Sequence, residues 1–259
     1  MIRGACSQRE LTWRLFMRDF RARYSQAFLG FLWAFILPLV VVGTFLFLNR
    51  SGVLTIGDVG VPYAVYAILG ISVWQIFAAG LVRCGNAIVA GGSMVVKINF
   101  PKDTLVFAAM GQALVDFIVR MLMVGVLMAV YGLVPKWEAL LFLPAILPMI
   151  LFSLGLGFIF SLANVVFRDI SHMLTILTTF LMFATPVLYP SRGGLFAAFN
   201  RYNPLDVLVN APRELVVSGT IQHPVRFAVV SLMAVLLFLL TWRIFHLAEV
   251  RMAERMGTR

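Results

Sequence analysis

Six apolar stretches dominate the chain: Phe31 to Leu48, Pro62 to Val82, Thr104 to Tyr131, Ala139 to Val166, Met173 to Tyr189, and Val225 to His246. A helix needs about 20 apolar residues to cross a bilayer core. The pattern therefore predicts an all-α, polytopic membrane protein with six transmembrane helices. The third and fourth stretches are long enough to tilt or to project beyond the lipid. The fifth is short, and Pro186 near its end predicts a kink or a stop there. Composition agrees: 12% of the residues are charged and 61% hydrophobic, whereas soluble domains carry about 25% charged residues. The apolar run begins near Phe31, with neither a short basic start nor a small-residue cleavage site, so the first span is expected to stay in the mature protein.

Six crossings put both ends of the chain on one side, and the basic residues choose which. Fourteen Lys and Arg flank the spans on the terminal side and six on the opposite side. Both termini are accordingly expected in the cytoplasm, with the chain in the cytoplasmic (inner) membrane. The net charge of +10 is spread around the spans instead of forming a basic stripe on a soluble fold. That points to membrane lipids as a partner and away from nucleic acid. Cys6 and Cys84 both fall on the predicted cytoplasmic side, so no disulfide is expected. Neither has metal-ligand spacing to a second Cys or to His172, His223 or His246. With no internal repeat or linker, residues 1–259 read as one domain: an interface helix over 1–30, a six-span region over 31–246 and a cytoplasmic tail over 247–259.

Ahead of the first span lies a basic, aromatic segment. On a helix, Trp13, Phe16, Met17, Phe20 and Tyr24 share one face while Arg14, Arg18 and Arg21 gather on a neighbouring arc, the pattern of a helix lying in a membrane interface. Leu11 and Leu15 fall outside that apolar face, which predicts a second side covered by protein. The three arginines suit a phosphate or pyrophosphate headgroup, because guanidinium binds such oxygens in a fork. Attraction to anionic lipid accounts for them as well.

The connections are unequal. The inner loop from Arg83 to Asp103 is long enough to carry a helix of its own, and its Gly91 to Asp103 part suits either a surface that a soluble partner pushes on or a connector lying on lipid. Gly91-Gly92 lacks the following Lys-Ser/Thr of a phosphate-binding loop and no other stretch fits that pattern, so no ATP binding through such a loop is expected in this chain. Phe167 to His172 makes a tight turn on the same side. The outer loop from Pro190 to Pro224 is long and semi-apolar. Gly193 to Phe199 and Asp206 to Val217 are each expected to form a short helix, the second opened by Asn203-Pro204 and closed by Ser218-Gly219. Together they suggest a re-entrant outer hairpin between spans five and six.

Inside the spans, Asp116 and Arg120 stand one helical turn apart. They are either a polar element of a translocation path or proton relay, or a pair that neutralises itself and locks packing. Ser153, Gly157 and Ser161, with Gly155, make a face on which helix backbones approach closely. The rings of Phe31, Trp33, Phe35, Trp74, Phe77, Phe180 and Phe183 suit a path along which sugar faces stack, although lipid contact or core packing explains each ring taken singly. Nucleophile-elbow, zinc-hydrolase and paired-carboxylate signatures are absent, so no bond chemistry is expected of the chain.

Four short stretches resemble the permease subunits of type-2 ABC exporters, in the branch that exports O-antigen, capsule and teichoic-acid polysaccharides. They are Arg23-Tyr24-Ser25-Gln26-Ala27-Phe28-Leu29-Gly30-Phe31-Leu32-Trp33-Ala34; Val96-Lys97-Ile98-Asn99-Phe100-Pro101-Lys102-Asp103; Val166-Phe167-Arg168-Asp169-Ile170 with Thr185-Pro186-Val187-Leu188-Tyr189-Pro190; and Asn203-Pro204-Leu205. Lys102-Asp103 stands where many relatives have Arg-Glu, which keeps the charge order. The resemblance implies two copies of the chain forming a channel lined by aromatic side chains, and an ABC ATPase subunit docked on each. ATP and magnesium would belong to that partner, with no cofactor in this chain. Lys97, Phe100, Pro101, Arg168 and Asp169 would meet the ATPase, and a lipid-linked glycan would be the cargo. Another substrate of the same fold, such as a lipooligosaccharide or a drug, and an ion-coupled transporter built on Asp116 and Arg120 are the alternative readings. A membrane-embedded glycan enzyme fits less well, since no exposed acid or nucleophile cluster occurs at either face.

Overall fold

A computed structural model of the protein describes residues 2–25, 36, 39–40, 43–44, 47, 51, 59–92, 94–95, 100–167, 169–190 and 197–257. All regular structure among them is helical: α1 (Ile2–Ser25), α2 (Tyr63–Gly91), α3 (Asp103–Val130), a 3-10 turn (Trp137–Leu141), α4 (Phe142–Ala145), α5 (Leu147–Val166), α6 (Ile170–Ala184), α7 (Ala197–Tyr202), α8 (Pro204–Val217) and α9 (Pro224–Gly257). Four segments are long and apolar enough to cross a bilayer: α2, α3, the broken stretch Trp137–Val166, and Pro224–Ala248 of α9. Of the first expected span, only residues 36, 39–40, 43–44 and 47 are described, all of them helical, and Phe31, Trp33 and Phe35 lie outside the described residues.

The helix α2 is the axis of the fold. It is apolar on nearly every side, and α3, α5, α6 and α8 pack around it, as expected of a helix buried all round. The helix α9 is its opposite: it packs on α5, while Leu232, Met233, Leu236, Leu239 and Leu240 are exposed. Apolar exposure on that scale requires an apolar surrounding, which the length and hydropathy of these helices identify as lipid.

Small residues bring α5 close to its neighbours on two sides. A methyl group built on Gly157 would lie 2.5 Å from Cβ of Cys84, and one built on Gly155 would lie 3.2 Å from the Phe238 backbone. Ser153 and Ser161 are fully buried, and the Ser153 hydroxyl donates to the Phe77 carbonyl at 3.2 Å. The face of small residues thus packs α5 between α2 and α9.

Several expectations change. The residues from Arg83 to Gly91 are not part of a loop, because α2 runs on without a break until Gly91-Gly92. Nothing between Val82 and Ala90 removes a helical hydrogen bond, so the helix stops only where two glycines make it costly. The fifth span ends at Ala184 with an extended Thr185, short of Tyr189. Pro186 disfavours helical backbone at the residue before it. The fourth span is interrupted near Ile146, between Pro144 and Pro148. In the connection between α6 and α9, α8 is opened by Asn203, whose side chain accepts from the Leu205 amide at 3.0 Å, and ends at Ser218.

Candidate functional site

Two polar clusters occupy opposite ends of the helices. At the end where α2 finishes and α3 starts, Phe100 and Lys102 are buried and Asp103 opens α3. A carboxylate in a first helical turn is favoured by the helix dipole. Its Oδ2 accepts from the Trp242 indole at 3.3 Å and lies 3.4 Å from His246 Nε2, which ties the α2–α3 connection to α9. On the other flank, the Asn164 amide donates to the Gly85 carbonyl at 3.1 Å, to Asn86 Oδ1 at 3.2 Å and to Ser171 Oγ at 2.9 Å. One side chain therefore fastens the end of α5 and the start of α6 to α2. The helix α1 reaches the same end: Leu15 is buried with Cys84 and Val106, Phe16 packs on Gly111, and the Arg18 guanidinium lies 3.5 Å from Met94 Sδ. The protein-covered side expected from Leu11 and Leu15 faces this core, and Trp13 on the other side is exposed.

The second cluster holds the connection between α6 and α9. Arg213 of α8 is fully buried; it donates to the Val187 carbonyl at 2.7 Å, to the Pro186 carbonyl at 3.1 Å and to the Asn210 amide oxygen. Burial pulls the pKa of its guanidinium down. Tyr63 and Tyr66 of α2 donate to the carbonyls of Leu188 and Tyr189, and the Asn203 amide donates to Thr185 Oγ1 at 2.9 Å. Arg226 of α9 pairs with Asp206 at 2.9 Å and caps the carbonyls of Asn200 and Asn203. The stretches Thr185 to Pro190 and Asn203 to Leu205, separate in sequence, are therefore one bonded unit. Neighbouring Glu214 accepts from the Gln222 amide at 2.8 Å, and its carboxyl is pushed above the ordinary range, chiefly by burial.

The predicted site residues divide accordingly. Arg14 pairs with Glu10 at 2.6 Å and Arg18 with Asp19 at 2.7 Å, both exposed, and Arg21 is exposed too. Pro101 is half-buried and Asp169 exposed, while Lys97 and Arg168 lie outside the described residues. Among the rings, Phe180 and Phe183 of α6 are 62% and 52% exposed, whereas Trp74 and Phe77 are 1% and 2% exposed. The latter two pack against each other and Phe152 in the core of the chain, since α2 is enclosed at their positions. Asp116 is not matched only along its own helix: it takes Arg83 of α2 at 2.5 Å. Among the described residues no group of His, Cys, Asp and Glu is arranged to hold a metal ion.

The profile of the ABC-2 type transporter family matches residues 10–217, most of the chain. The chain belongs to that family. It is 31% identical over 194 residues, 73% of its length and 72% of the relative's, to the O-antigen export system permease protein RfbA of Myxococcus xanthus. It is 25% identical over 241 residues, 92% of its length and 91% of the relative's, to a protein of the same name from Klebsiella pneumoniae. It is also 28% identical to the polysialic acid transport protein KpsM of Escherichia coli, over 82% of this chain and 83% of that one. This ABC-2 chain is thus a multi-pass membrane protein, and the matched region contains most of both polar clusters. The residues that reading by motif left unassigned are Arg83, Asn164, Asp206, Arg213 and Arg226. Arg83 and Asn164 are polar side chains on largely apolar helices, which is the signal that marks them; Asp206 and Arg213 lie on the more polar α8 and Arg226 in the first turn of α9, where that signal is weak.

Proposed function

We propose that the chain is the channel-forming transmembrane subunit of an ATP-driven exporter that moves a lipid-linked polysaccharide, of the O-antigen, capsule or teichoic-acid kind, across the cytoplasmic membrane. The observation that carries the reading is the similarity to polysaccharide-export permeases along more than nine-tenths of both chains. In this reading two copies pair, each binding one ABC ATPase on the cytoplasmic face formed by α1, the α2–α3 connection and the 167–169 turn. Six helices cross the membrane, the first within 31–48, and both termini are cytoplasmic. The pair α7 and α8 forms the re-entrant hairpin at the outer exit.

The geometry supports a mechanical role for the inner cluster. Phe100 and Lys102 are buried next to Asp103, so a push on this connection is passed to α3 and, through Trp242 and His246, to α9. Packed elements of this kind shift as units instead of deforming. Of the four described rings expected along the path, Phe180 and Phe183 present theirs outside the chain's own core, where a sugar chain could reach them. Trp74 and Phe77 stabilise α2.

Two measurements test the reading. Depletion of the protein is expected to make lipid-linked polymer build up in the cytoplasmic leaflet while surface glycan falls. The purified chain is expected to bring down an ATPase whose turnover rises with lipid-linked glycan. Transport by the chain alone, halted by collapsing the proton gradient, overturns it.

A further inference from the structure

The central helix α2 is open along a single stripe. Between Ala64 and Ile88 only Gln75, Ala79, Val82, Arg83 and Asn86 are not buried. Their spacing places them on one helical face. Three of the five are polar, on a helix whose other faces are almost entirely apolar. Arg83 is the only charge on α2, and its side chain is 22% exposed, against 4% for its partner Asp116.

Depth along the helices orders the charges. Arg83 stands about 12 Å from the Gly91 end of α2, while Asp116 and Arg120 stand about 20 Å and 26 Å from the Asp103 end of α3, at 1.5 Å per residue. Because α2 and α3 run antiparallel from the same end, the carboxylate sits between two guanidiniums in depth. Arg120 is also one helical turn from Asp116, where charges on one helix meet. The carboxylate therefore has two arginines within its reach, and only one of them, Arg83, opens onto the stripe. Arg83 keeps a further donor, Nη1, buried and without a hydrogen-bond partner among the described residues.

We infer that Arg83 is a binding site for the phosphate or pyrophosphate headgroup of the lipid-linked cargo, with Asp116 as a built-in counter-ion that holds the guanidinium until the headgroup replaces it. A guanidinium in a water-poor setting binds phosphate oxygens in a forked, charge-assisted pair. Releasing Asp116 without a replacement partner would leave a buried charge uncompensated, at large cost. Arg120, one helical turn away, lies within reach of the carboxylate, so Asp116 keeps a guanidinium neighbour when the headgroup takes Arg83. The exposed arginines of α1 lie at the same end, with Arg18 against Met94 just past the end of α2. They would receive the headgroup first and Arg83 would receive it next. This inference rests on the exporter reading above, in which the cargo carries a phosphate-linked lipid.

The test uses the full chain in complex with its ATPase, in detergent, titrated with a long-chain isoprenyl pyrophosphate. The same isoprenol without phosphate, inorganic pyrophosphate and phosphatidylglycerol are separate arms. Wild type is expected to prefer the isoprenyl pyrophosphate over all three. Arg83→Gln is expected to weaken that binding about tenfold, the worth of one charge-assisted contact. Asp116→Asn is expected to strengthen it by about threefold or more, because the guanidinium no longer has to give up a carboxylate. The triple variant R83Q/D116N/R120Q removes every charge of the group; it is expected to fold and to bind as weakly as Arg83→Gln. A purely structural ion pair predicts the opposite pattern, in which both single variants lose binding in step with thermal stability. That result, or wild-type affinity in the triple variant, overturns the inference. Equal binding of phosphatidylglycerol overturns it too, by making the site one for bulk lipid. Export of glycan by the wild-type complex in vesicles reports on the exporter reading separately.

Discussion

The Arg213 guanidinium lies over the ring of Tyr66, 3.8 Å from its centroid, and so joins helix α8 to the central helix α2. The same guanidinium holds the carbonyls of Pro186 and Val187. One buried side chain thus fixes three segments distant in sequence. Arg213→Ala is expected to lower stability by about 2–5 kcal/mol, because two carbonyls lose a charged donor inside the protein. Arg213→Lys is expected to recover part of this, since an ammonium cannot reproduce the planar fork. Thermal unfolding in detergent measures both.

Gly70 lies directly beneath this contact. A methyl group there would run into the Val187 carbonyl oxygen and into Arg213 Nη1 at 2.7 Å. Gly70→Ala is expected to cost about 1–3 kcal/mol, the range for overpacking. In combination with Arg213→Ala the losses should be less than additive, because the first substitution already disturbs the contact that the second removes. A double-mutant cycle on unfolding midpoints decides this.

At the crossing of α2 and α5, Gly157→Ala is expected to destabilise by about 1–3 kcal/mol, because the new methyl meets Cβ of Cys84, which cannot rotate away. Cys84→Ala should not relieve the clash, since it keeps that carbon. Cys84→Gly should restore packing, less the cost of about 1 kcal/mol for a glycine within a helix. Unfolding of the paired variants in detergent separates the two outcomes.

Asn164→Asp removes the amide that donates to Gly85, Asn86 and Ser171 and sets a carboxylate against two acceptors. The expected cost is about 1–3 kcal/mol, for a buried polar site left without its donors. Hydrogen exchange should quicken in residues 164–171 while the α8 region is unchanged.

The carboxyl of Glu214 titrates above its ordinary value of 4.5 in the folded protein, chiefly through burial. Between that value and the raised one the folded state binds more protons than the unfolded chain, so stability falls as pH rises across the window and levels off above it. Glu214→Gln is expected to flatten this slope. The difference between wild-type and variant midpoints, followed from about pH 4.5 upward, isolates the group from other carboxylates.

How much of this was legible beforehand depends on the range of the interaction. The Asn203 cap, the end of α8 at Ser218-Gly219 and the stop before Pro186 are local backbone rules, and each could be read from a few adjacent residues. The second, protein-facing side of α1 was legible because Leu11 and Leu15 break its periodicity. The burial of Trp74 and Phe77 was not, since an aromatic ring on an apolar helix reads the same whether it faces core, lipid or a pore.

The sequence by itself determined an all-helical membrane chain, the Asn203 start and Ser218-Gly219 end of α8, the stop before Pro186, and a family likeness carried by short motifs. These follow from apolar run lengths and from the chemistry of Pro, Gly and Asn. Only the tertiary structure decided that Asp116 takes Arg83, that Arg213 binds the stretch after α6, and that Asp103 meets Trp242 and His246. The reason is physical. A charge in an apolar setting must find a partner, but which one it finds depends on how the helices pack, and helix packing is set by shape across the whole bundle.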